Sequence, residues 1–198
     1  MPSEREKVAA VLLAAGASRR FGSPKMLAAV SGEPLVRLVA RSFASAGFGD
    51  VVVVLAPGAR EVAAALDGLG VLVATNPRPE DGMLSSAQSG LAALPGGVRA
   101  AVTPADLPGL TSPVLSRLLA ALPAEDPAEV VVPAAGAKRG HPLVLPAVLV
   151  RRVLAWEPER RLSDLLREPD VRVREVPGFG PEVLRDVDVP DDLADAAG

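Results

Sequence analysis

Hydrophobic residues along the chain form two alternating patterns, short continuous apolar runs and longer stretches with apolar positions three and four residues apart. The continuous runs predict buried strands, and the helical spacing predicts amphipathic helices that cover them. The predicted strands are Val8–Leu13, Val51–Leu55, Val71–Ala74, Arg99–Thr103, Glu129–Val132, Leu143–Leu145, Val171–Val176 and Leu184–Val187. The predicted helices are Glu33–Ala46, Pro57–Leu66, Met83–Leu94, Thr111–Ala121, Pro146–Ala155, Leu162–Glu168 and a last helix after Pro190.

Strands separated by helices predict an α/β fold with a mainly parallel sheet and right-handed crossovers. The later strands follow one another more closely, so we expect the sheet to be mixed at that edge. Hydrophobic residues make up 49% of the chain but aromatic residues only 3%, which predicts a core of valine, leucine and alanine. The length of 198 residues favours one domain over residues 1–198. Ligands of such sheets bind beyond the carboxyl ends of strands, so the loops after the first and fourth strands are the candidate site.

Charge and cysteine content narrow the classes of function. The net charge of -3 argues against nucleic acid as a partner, because such binding needs a face rich in lysine and arginine. The sequence has no cysteine, which excludes disulfides and thiolate chemistry and favours a reduced, cytoplasmic location. Lys7 and the following apolar run imitate a secretory signal, but Glu4 and Glu6 cancel the positive charge that a signal carries. No apolar stretch approaches the ~18 residues of a membrane span, so we expect no membrane association.

A loop of small residues and cations follows the first strand. Residues 14–25 read Ala-Ala-Gly-Ala-Ser-Arg-Arg-Phe-Gly-Ser-Pro-Lys. Glycine and alanine let backbone N–H groups approach a ligand, and Arg20 and Lys25 bring positive charge to the same place. The loop therefore predicts a polyphosphate site, and a turn with ordinary solvated arginines is the alternative. Its spacing matches neither the P-loop nor the dinucleotide G-x-G-x-x-G pattern, which disfavours a nicotinamide dehydrogenase.

The same loop resembles the N-terminal signature of a nucleotidyltransferase family. From Leu13 to Lys25 the residues fit L-A-A-G-x-S-x-R-x-G-x-x-K, which is similar to molybdenum cofactor cytidylyltransferases and guanylyltransferases. The segment 81–89 is similar to the family's G-M-x-x-S segment, which faces the nucleotide base, although it also reads as an ordinary capped helix. The resemblance implies a single-domain, Rossmann-like three-layer fold of the nucleotidyltransferase, glycosyltransferase-A-like type. It also implies nucleotide contacts from Leu13, Ala14, Ala15, Gly16, Ser18, Arg20, Lys25, Gly82, Met83 and Ser86.

Two acidic segments resemble the metal-binding parts of this family. Asp106 lies in Pro-Ala-Asp-Leu-Pro, similar to the family's P-x-D-x-P turn, where two prolines hold a candidate magnesium ligand on a stiff backbone. Asp188 aligns with the inner aspartate of the C-terminal D-x-D-x-P segment and is the implied second Mg²⁺ ligand. Alternation along the predicted strand puts Asp186 and Asp188 on one face, so either can point to the site. Taken alone, Asp106 reads as a turn residue and the second segment as an acidic helix cap.

The part of the chain that would meet the acceptor carries weaker signals. His141 is the only histidine, and a lone histidine is usually structural, but Gly-His-Pro at 140–142 resembles the cytidylyltransferases and implies a substrate-binding residue. A nucleophilic triad is excluded because there is no cysteine and spacing identifies no partner for His141. Arg139, Arg160 and Arg161 are candidates for contacting a phosphate or a pterin, or are solvated surface residues.

The resemblance implies a magnesium-dependent nucleotidyltransferase with Arg20, Lys25 and Asp106 as catalytic residues. The expected reaction transfers CMP from CTP to the phosphate of a molybdopterin-type acceptor and releases pyrophosphate, without an enzyme nucleophile. The resemblance implies a preference for cytidine, because this chain has Leu-Ala-Ala-Gly where guanylyl-transferring relatives usually have Leu-Ala-Gly-Gly. The extra methyl group of Ala15 would crowd a purine. The alternatives are a guanylyl- or other nucleotidyltransferase with a different phosphorylated acceptor, such as a sugar phosphate, and a non-catalytic cofactor carrier. A molybdenum oxidoreductase or its chaperone is the candidate protein partner.

Overall fold

The computed structural model describes residues 8–16, 21, 24–123, 128–189 and 191–192 of the 198-residue chain. Within these ranges the strands are β1 Ala9–Leu13, β2 Ala29–Val30, β3 Glu33–Pro34, β4 Val51–Leu55, β5 Leu72–Thr75, β6 Ala100–Pro104, β7 Glu129–Ala135, β8 Lys138–Arg139, β9 Leu143–Leu145 and β10 Arg172–Val176. The α-helices are α1 Leu35–Ala46, α2 Arg60–Ala64, α3 Met83–Ala92, α4 Ser112–Ala121 and α5 Ala147–Leu154. Short 3-10 helices cover Lys25–Leu27, Pro79–Asp81, Leu162–Arg167 and Pro181–Val183.

One mixed sheet organises these elements. Its strand order is β10-β7-β9-β6-β1-β4-β5, with β8 paired to the end of β7. Neighbours along this path are parallel except at β9, which is antiparallel to both β6 and β7. The mainly parallel, mixed sheet is confirmed, but the reversed strand lies inside the sheet and not at its edge as predicted.

Helices cover both faces of the sheet, which gives three layers. Along β1, Ala10 and Leu12 pack into a cluster with apolar residues of α1 and α4, whereas Ala9 and Val11 pack into a second cluster with α3 and α5. This follows from the alternation of side chains along a strand. All five residues of β4 are buried, as its unbroken valine run predicts. None of the helices in the described ranges is long and apolar enough to cross a membrane.

Two predicted helices begin later than their apolar spacing indicates. Ser31 and Gly32 both have positive φ, 51° and 83°, and form the turn of a hairpin that pairs β2 with β3. Such a two-residue turn is typical of a tight hairpin. Glu33 therefore belongs to a strand and α1 begins after it. The helix predicted from Pro57 likewise starts only at Arg60, after a turn.

The C-terminal third differs most from the predictions. β7 runs on to Ala135 and turns back into β8, where the sequence predicts a loop. Residues 162–167 form a 3-10 helix in place of an α-helix. The predicted strand Leu184–Val187 is wrong, because Pro181 starts a 3-10 turn there. The carbonyl of Pro181 accepts hydrogen bonds from the N–H groups of Leu184 and Arg185. The helix predicted after Pro190 lies largely outside the described residues.

Candidate active site

The carboxyl ends of two central strands bring the predicted loops together. β1 and β6 are parallel neighbours, and Leu13 is the register partner of Pro104. The N–H of Ala105 donates a hydrogen bond to the carbonyl of Leu13 at 3.0 Å. The start of the loop that follows β1 and the turn that carries Asp106 therefore leave the sheet side by side, as expected for an α/β binding edge.

The segment 181–189, near the C-terminal end of the sequence, is hydrogen-bonded to residues at the same edge of the sheet. The N–H of Val187 donates to the carbonyl of Asp106 at 2.9 Å, and the N–H of His141 donates to the carbonyl of Val183 at 2.8 Å. Gly140 has no room for a side chain, since a Cβ there would lie 2.6 Å from the Val183 carbonyl oxygen. This close approach requires glycine. Backbone contacts thus hold three distant segments in one place.

Three carboxylates converge at this junction. Asp106, Asp186 and Asp188 each offer an oxygen, and these oxygens lie within 4.8 Å of one another. The Asp106 side chain is only 16% exposed, and its Oδ1 is buried without a hydrogen-bond partner among the described residues. Carboxylate oxygens are the ligands that hard divalent cations prefer. The donor set therefore fits a divalent metal ion.

Lys25 places an ammonium group against these carboxylates. Its Nζ lies 2.6 Å from Asp106 Oδ2 and 3.6 Å from Asp188 Oδ1, and its side chain is 13% exposed. At these distances the ammonium offsets part of the repulsion between neighbouring carboxylates. Lys25 thus occupies a position where a cation is needed and where a phosphate chain would meet positive charge.

His141 lies between the carboxylate cluster and a neighbouring cleft. Its Nδ1 is buried without a hydrogen-bond partner among the described residues. Burial lowers the pKa of the imidazole, and the charges of Asp106 and Asp186 offset part of that shift. The neutral ring is therefore favoured in the fold, with one nitrogen able to donate a hydrogen bond and the other able to accept one.

A cleft of about 550 Å³ opens beside His141. Its volume is in the range of sites for small molecules and cofactors. One wall contains Gly82 and Met83, which precede and begin α3, and its mostly apolar lining is interrupted by arginines. The residues that line it are Asp81, Gly82, Met83, Leu84, Val132, Arg139, Gly140, His141, Leu143, Pro158, Glu159, Arg160, Arg161, Leu162, Ser163 and Leu166.

Comparison with known proteins identifies the fold family of this site. The family model described as the MobA-like NTP transferase domain matches residues 10–174. The chain belongs to the MobA-like NTP transferase family. This confirms the resemblance found in the sequence and makes the protein a nucleotidyltransferase by family. No curated protein matches the chain.

Solved structures agree with this MobA-like assignment. Rv0371c from Mycobacterium tuberculosis H37Rv is similar with a TM-score of 0.75 and 26% sequence identity, over 96% of this chain and 98% of that chain. A nucleotidyl transferase from Methanothermobacter, Mth528, has a TM-score of 0.81 and 24% identity, over 96% of this chain and 95% of that chain. The second likeness shows the fold alone. The predicted three-layer nucleotidyltransferase fold is confirmed.

The loop of residues 14–25, called the signature loop below, lies partly outside the described residues. Ser18 and Arg20 are in that part, so their predicted roles stay predictions. Before them, Ala14 and Ala15 are buried and Gly16 is exposed. The N–H of Ala14 donates to the carbonyl of Val54 in β4, which fixes the start of the loop on the sheet. Leu13 ends β1 and is partly buried.

The G-M-x-x-S segment takes its shape from a residue that the sequence analysis missed. Asn76 directly follows β5, is 1% exposed, and donates from Nδ2 to the hydroxyls of Ser85 at 2.8 Å and Ser86 at 2.9 Å. Ser86 is therefore buried, while Met83 is 53% exposed and Gly82 has a φ of 91°. The sequence signal for Asn76 was its position as a polar residue immediately after a strand. The predicted contacts of Gly82, Met83 and Ser86 with a nucleotide base stay predictions.

The lowered pKa of His141 predicts a pH dependence of stability. Because the unfolded chain binds this proton more tightly than the fold does, stability is complete above the unfolded pKa of about 6.5 and falls as the pH is lowered below it. We expect the Tm to fall between pH 7 and pH 5 with a chelator present, and His141→Asn to flatten this slope. Each kcal/mol corresponds to about 2–4 °C in Tm. An unchanged slope in the variant would contradict the assignment, since the chain has no other histidine.

Proposed function

We propose that this protein transfers the CMP group of CTP to the phosphate of a molybdopterin-type acceptor and releases pyrophosphate. The observation that carries the proposal is the convergence of Lys25 with the carboxylates of Asp106, Asp186 and Asp188 beside the signature loop. An ammonium and a carboxylate cluster at the end of a parallel strand are the groups that phosphate transfer requires.

Asp106 and Asp188 would hold the metal ion, with Asp186 as a third carboxylate within reach. Magnesium is the proposed ion, and the proposal of a divalent metal is supported by a structure of the similar protein Rv0371c in complex with manganese. When bound, such an ion supplies positive charge that neutralises phosphate oxygens. Asp106 suits this role because its unpartnered Oδ1 is a buried acceptor with no competing donor among the described residues.

The chain's own cations would stabilise the leaving group. A phosphate oxygen of the acceptor forms a bond to the α-phosphorus of CTP, and the bond from that phosphorus to the oxygen bridging to the β-phosphate breaks. The electron pair leaves with pyrophosphate. Lys25 and Arg20, with the N–H groups of the signature loop, would bind the departing diphosphate, so no covalent enzyme intermediate is needed.

The proposed preference for cytidine rests on the Leu-Ala-Ala-Gly sequence of the signature loop. Ala15 is buried, so its methyl group takes space in the packed start of the loop. Two solved structures with a similar fold are named as cytidylyl enzymes. One is 4-diphosphocytidyl-2C-methyl-D-erythritol synthase from Anaerococcus prevotii. The other is CMP-2-keto-3-deoxy-manno-octonic acid synthetase, which was solved in complex with CTP. One methyl group is worth a modest discrimination, about 10–200-fold.

The proposed acceptor site is the part of the cleft that His141 lines, whereas Gly82 and Met83, which line the same cleft, are the predicted contacts of the nucleotide base. The imidazole lies near the carboxylates of Asp106 and Asp186 and also lines the cleft, so a phosphate reaching the metal cluster would pass this side chain. A neutral imidazole can donate a hydrogen bond to a phosphate oxygen. Because it carries no positive charge, it does not compete with the metal ion for the carboxylates. The rest of the acceptor would extend towards Arg160 and Arg161.

Pyrophosphate release measured with each of the four nucleoside triphosphates tests this proposal. With magnesium and molybdopterin as acceptor, we expect kcat/KM for CTP to exceed that for GTP by at least about tenfold. A chelator should abolish the release. Equal activity with GTP would remove the cytidine assignment, and equal use of a sugar phosphate such as glucose 1-phosphate would remove the acceptor assignment.

A further inference from the structure

The cleft that His141 lines also carries a guanidinium group whose position is fixed by its neighbours. The Arg160 Cζ lies 3.6 Å from the centre of the Trp156 ring, a distance typical of a stacked cation and aromatic pair. The Arg160 Nη2 also donates to Glu168 Oε1 at 2.5 Å. One face and one edge of the guanidinium are thus engaged before any ligand arrives.

The supports of this arginine are themselves anchored. Gln88 on α3 donates from Nε2 to the carbonyls of Val153 at 3.0 Å and Trp156 at 2.8 Å, which ties the tryptophan backbone to the helix. Glu168 also accepts a hydrogen bond from Arg152 at 2.8 Å, and these two arginine partners lower the pKa of its carboxyl group. The carboxylate therefore stays ionised and the guanidinium plane stays in place over the usual range of pH.

Arg160 lines the cleft, whereas Trp156 is not among the residues that line it. The tryptophan thus supports the guanidinium from outside the cleft. Arg160 presents a planar cation to a ligand, and its side chain is 37% exposed. The apolar side chains of Leu162 and Leu166 line the same cleft. Arginine planes stack on flat nitrogen heterocycles, as they do on nucleic acid bases. A sugar ring has no aromatic face and needs a polar partner for each hydroxyl that it buries.

We propose that Arg160, held by Trp156 and Glu168, is the specificity-determining residue on which a planar nitrogen heterocycle of the acceptor stacks. The inference rests on the proposed function, because it assumes that the acceptor enters this cleft with its phosphate towards His141. It goes further by assigning the choice between heterocyclic and sugar phosphates to one residue. Glu168 acts as a positioning residue for the same group.

Tryptophan fluorescence tests the stack without any turnover. Trp156 is the only tryptophan and the chain has no tyrosine, so the emission reports on this wall of the cleft. We expect neopterin monophosphate, a flat heterocycle with a phosphate monoester, to give saturable quenching. Glucose 1-phosphate at the same concentrations should give none. Free N-acetyltryptophanamide corrects for absorption by the pterin.

Arg160→Lys retains the charge and removes the plane, and we expect it to weaken neopterin monophosphate binding by about tenfold or more. In turnover assays the acceptor KM should rise by a similar factor, with kcat and the KM for CTP little changed. Arg167→Lys is the matched control, because Arg167 is 76% exposed and does not line the cleft. Glu168→Gln should weaken binding less than Arg160→Lys.

Two outcomes would overturn the inference. The first is that the wild-type protein binds neopterin monophosphate and glucose 1-phosphate equally, or that the pterin gives no saturable quenching. This result would reject the stack even if the Arg160 variant fails to fold. The second is unchanged pterin binding by a folded Arg160→Lys protein. Failure of the proposed function is separate, because selective quenching without CTP turnover would reject the reaction and keep the stack.

Discussion

Asp106→Asn is expected to lower nucleotidyl transfer by about 10³-fold or more, equivalent to about 4 kcal/mol of transition-state stabilisation. Asparagine retains the size of the side chain but removes the charge of the least exposed of the three clustered carboxylates. It also leaves an amide next to the Lys25 ammonium, where an acceptor oxygen lay at 2.6 Å. Pyrophosphate release at saturating magnesium and CTP measures the loss.

The control for this substitution is Asp50→Asn, an exposed aspartate in the turn before β4. It should leave the rate within about twofold of the wild type. Binding of the finished dinucleotide by the same variant separates an enzyme from a carrier, because a pure carrier would keep binding it without the Asp106 carboxylate, whereas the enzyme would lose its metal-dependent turnover. Full turnover by a folded Asp106→Asn protein would reject the metal role of this residue.

Lys25→Met is expected to have two opposite effects. Turnover should fall by about 10²-fold or more, because the ammonium that would bind the departing pyrophosphate is lost. In the absence of nucleotide, the affinity for Mn²⁺ should rise by about tenfold. The ammonium lies 2.6 Å from Asp106 and 3.6 Å from Asp188, so it occupies the oxygens that a metal ion needs and repels that ion.

Electron paramagnetic resonance of free Mn²⁺ measures this affinity directly, whatever the activity of the variant. Lys138→Met is the matched control, because Lys138 is an exposed lysine on β8. It should change neither quantity. Equal Mn²⁺ affinity in the wild type and the Lys25 variant would show that the ammonium and the metal do not compete. The metal would then bind elsewhere than at the Lys25 partners.

The central strands are predictable from sequence because their surroundings are uniform. β4 is buried along its whole length, and the unbroken run Val51–Leu55 is sufficient to locate it. The position of Asp106 was also predictable, since it comes two residues after the end of β6 and parallel strands end at one edge. For these positions, local pattern and tertiary context agree, so periodicity and strand ends give both the element and its place.

Residues fixed by distant contacts were not predictable in this way. Residues 186–189 alternate between aspartate and valine as in a strand, but the turn started by Pro181 and the hydrogen bond from the Val187 N–H to the Asp106 carbonyl decide the path of this segment. Asp186 and Asp188 still reach the cluster, although the strand alternation used to place them does not exist. The role of Glu168 depends on two arginines, 8 and 16 residues earlier in the chain, which no local spacing indicates.

The reversed strand β9 sets the distance between the carboxyl ends of β6 and β7. Since β9 is antiparallel to both neighbours, β6 and β7 run in the same direction and end at the same edge, one strand apart. Two strand spacings separate them by about 10 Å. His141 lies just before β9, in that gap. In the proposed reaction, the inserted strand would act as a spacer between the turn that carries Asp106 and the end of β7, with His141 between them.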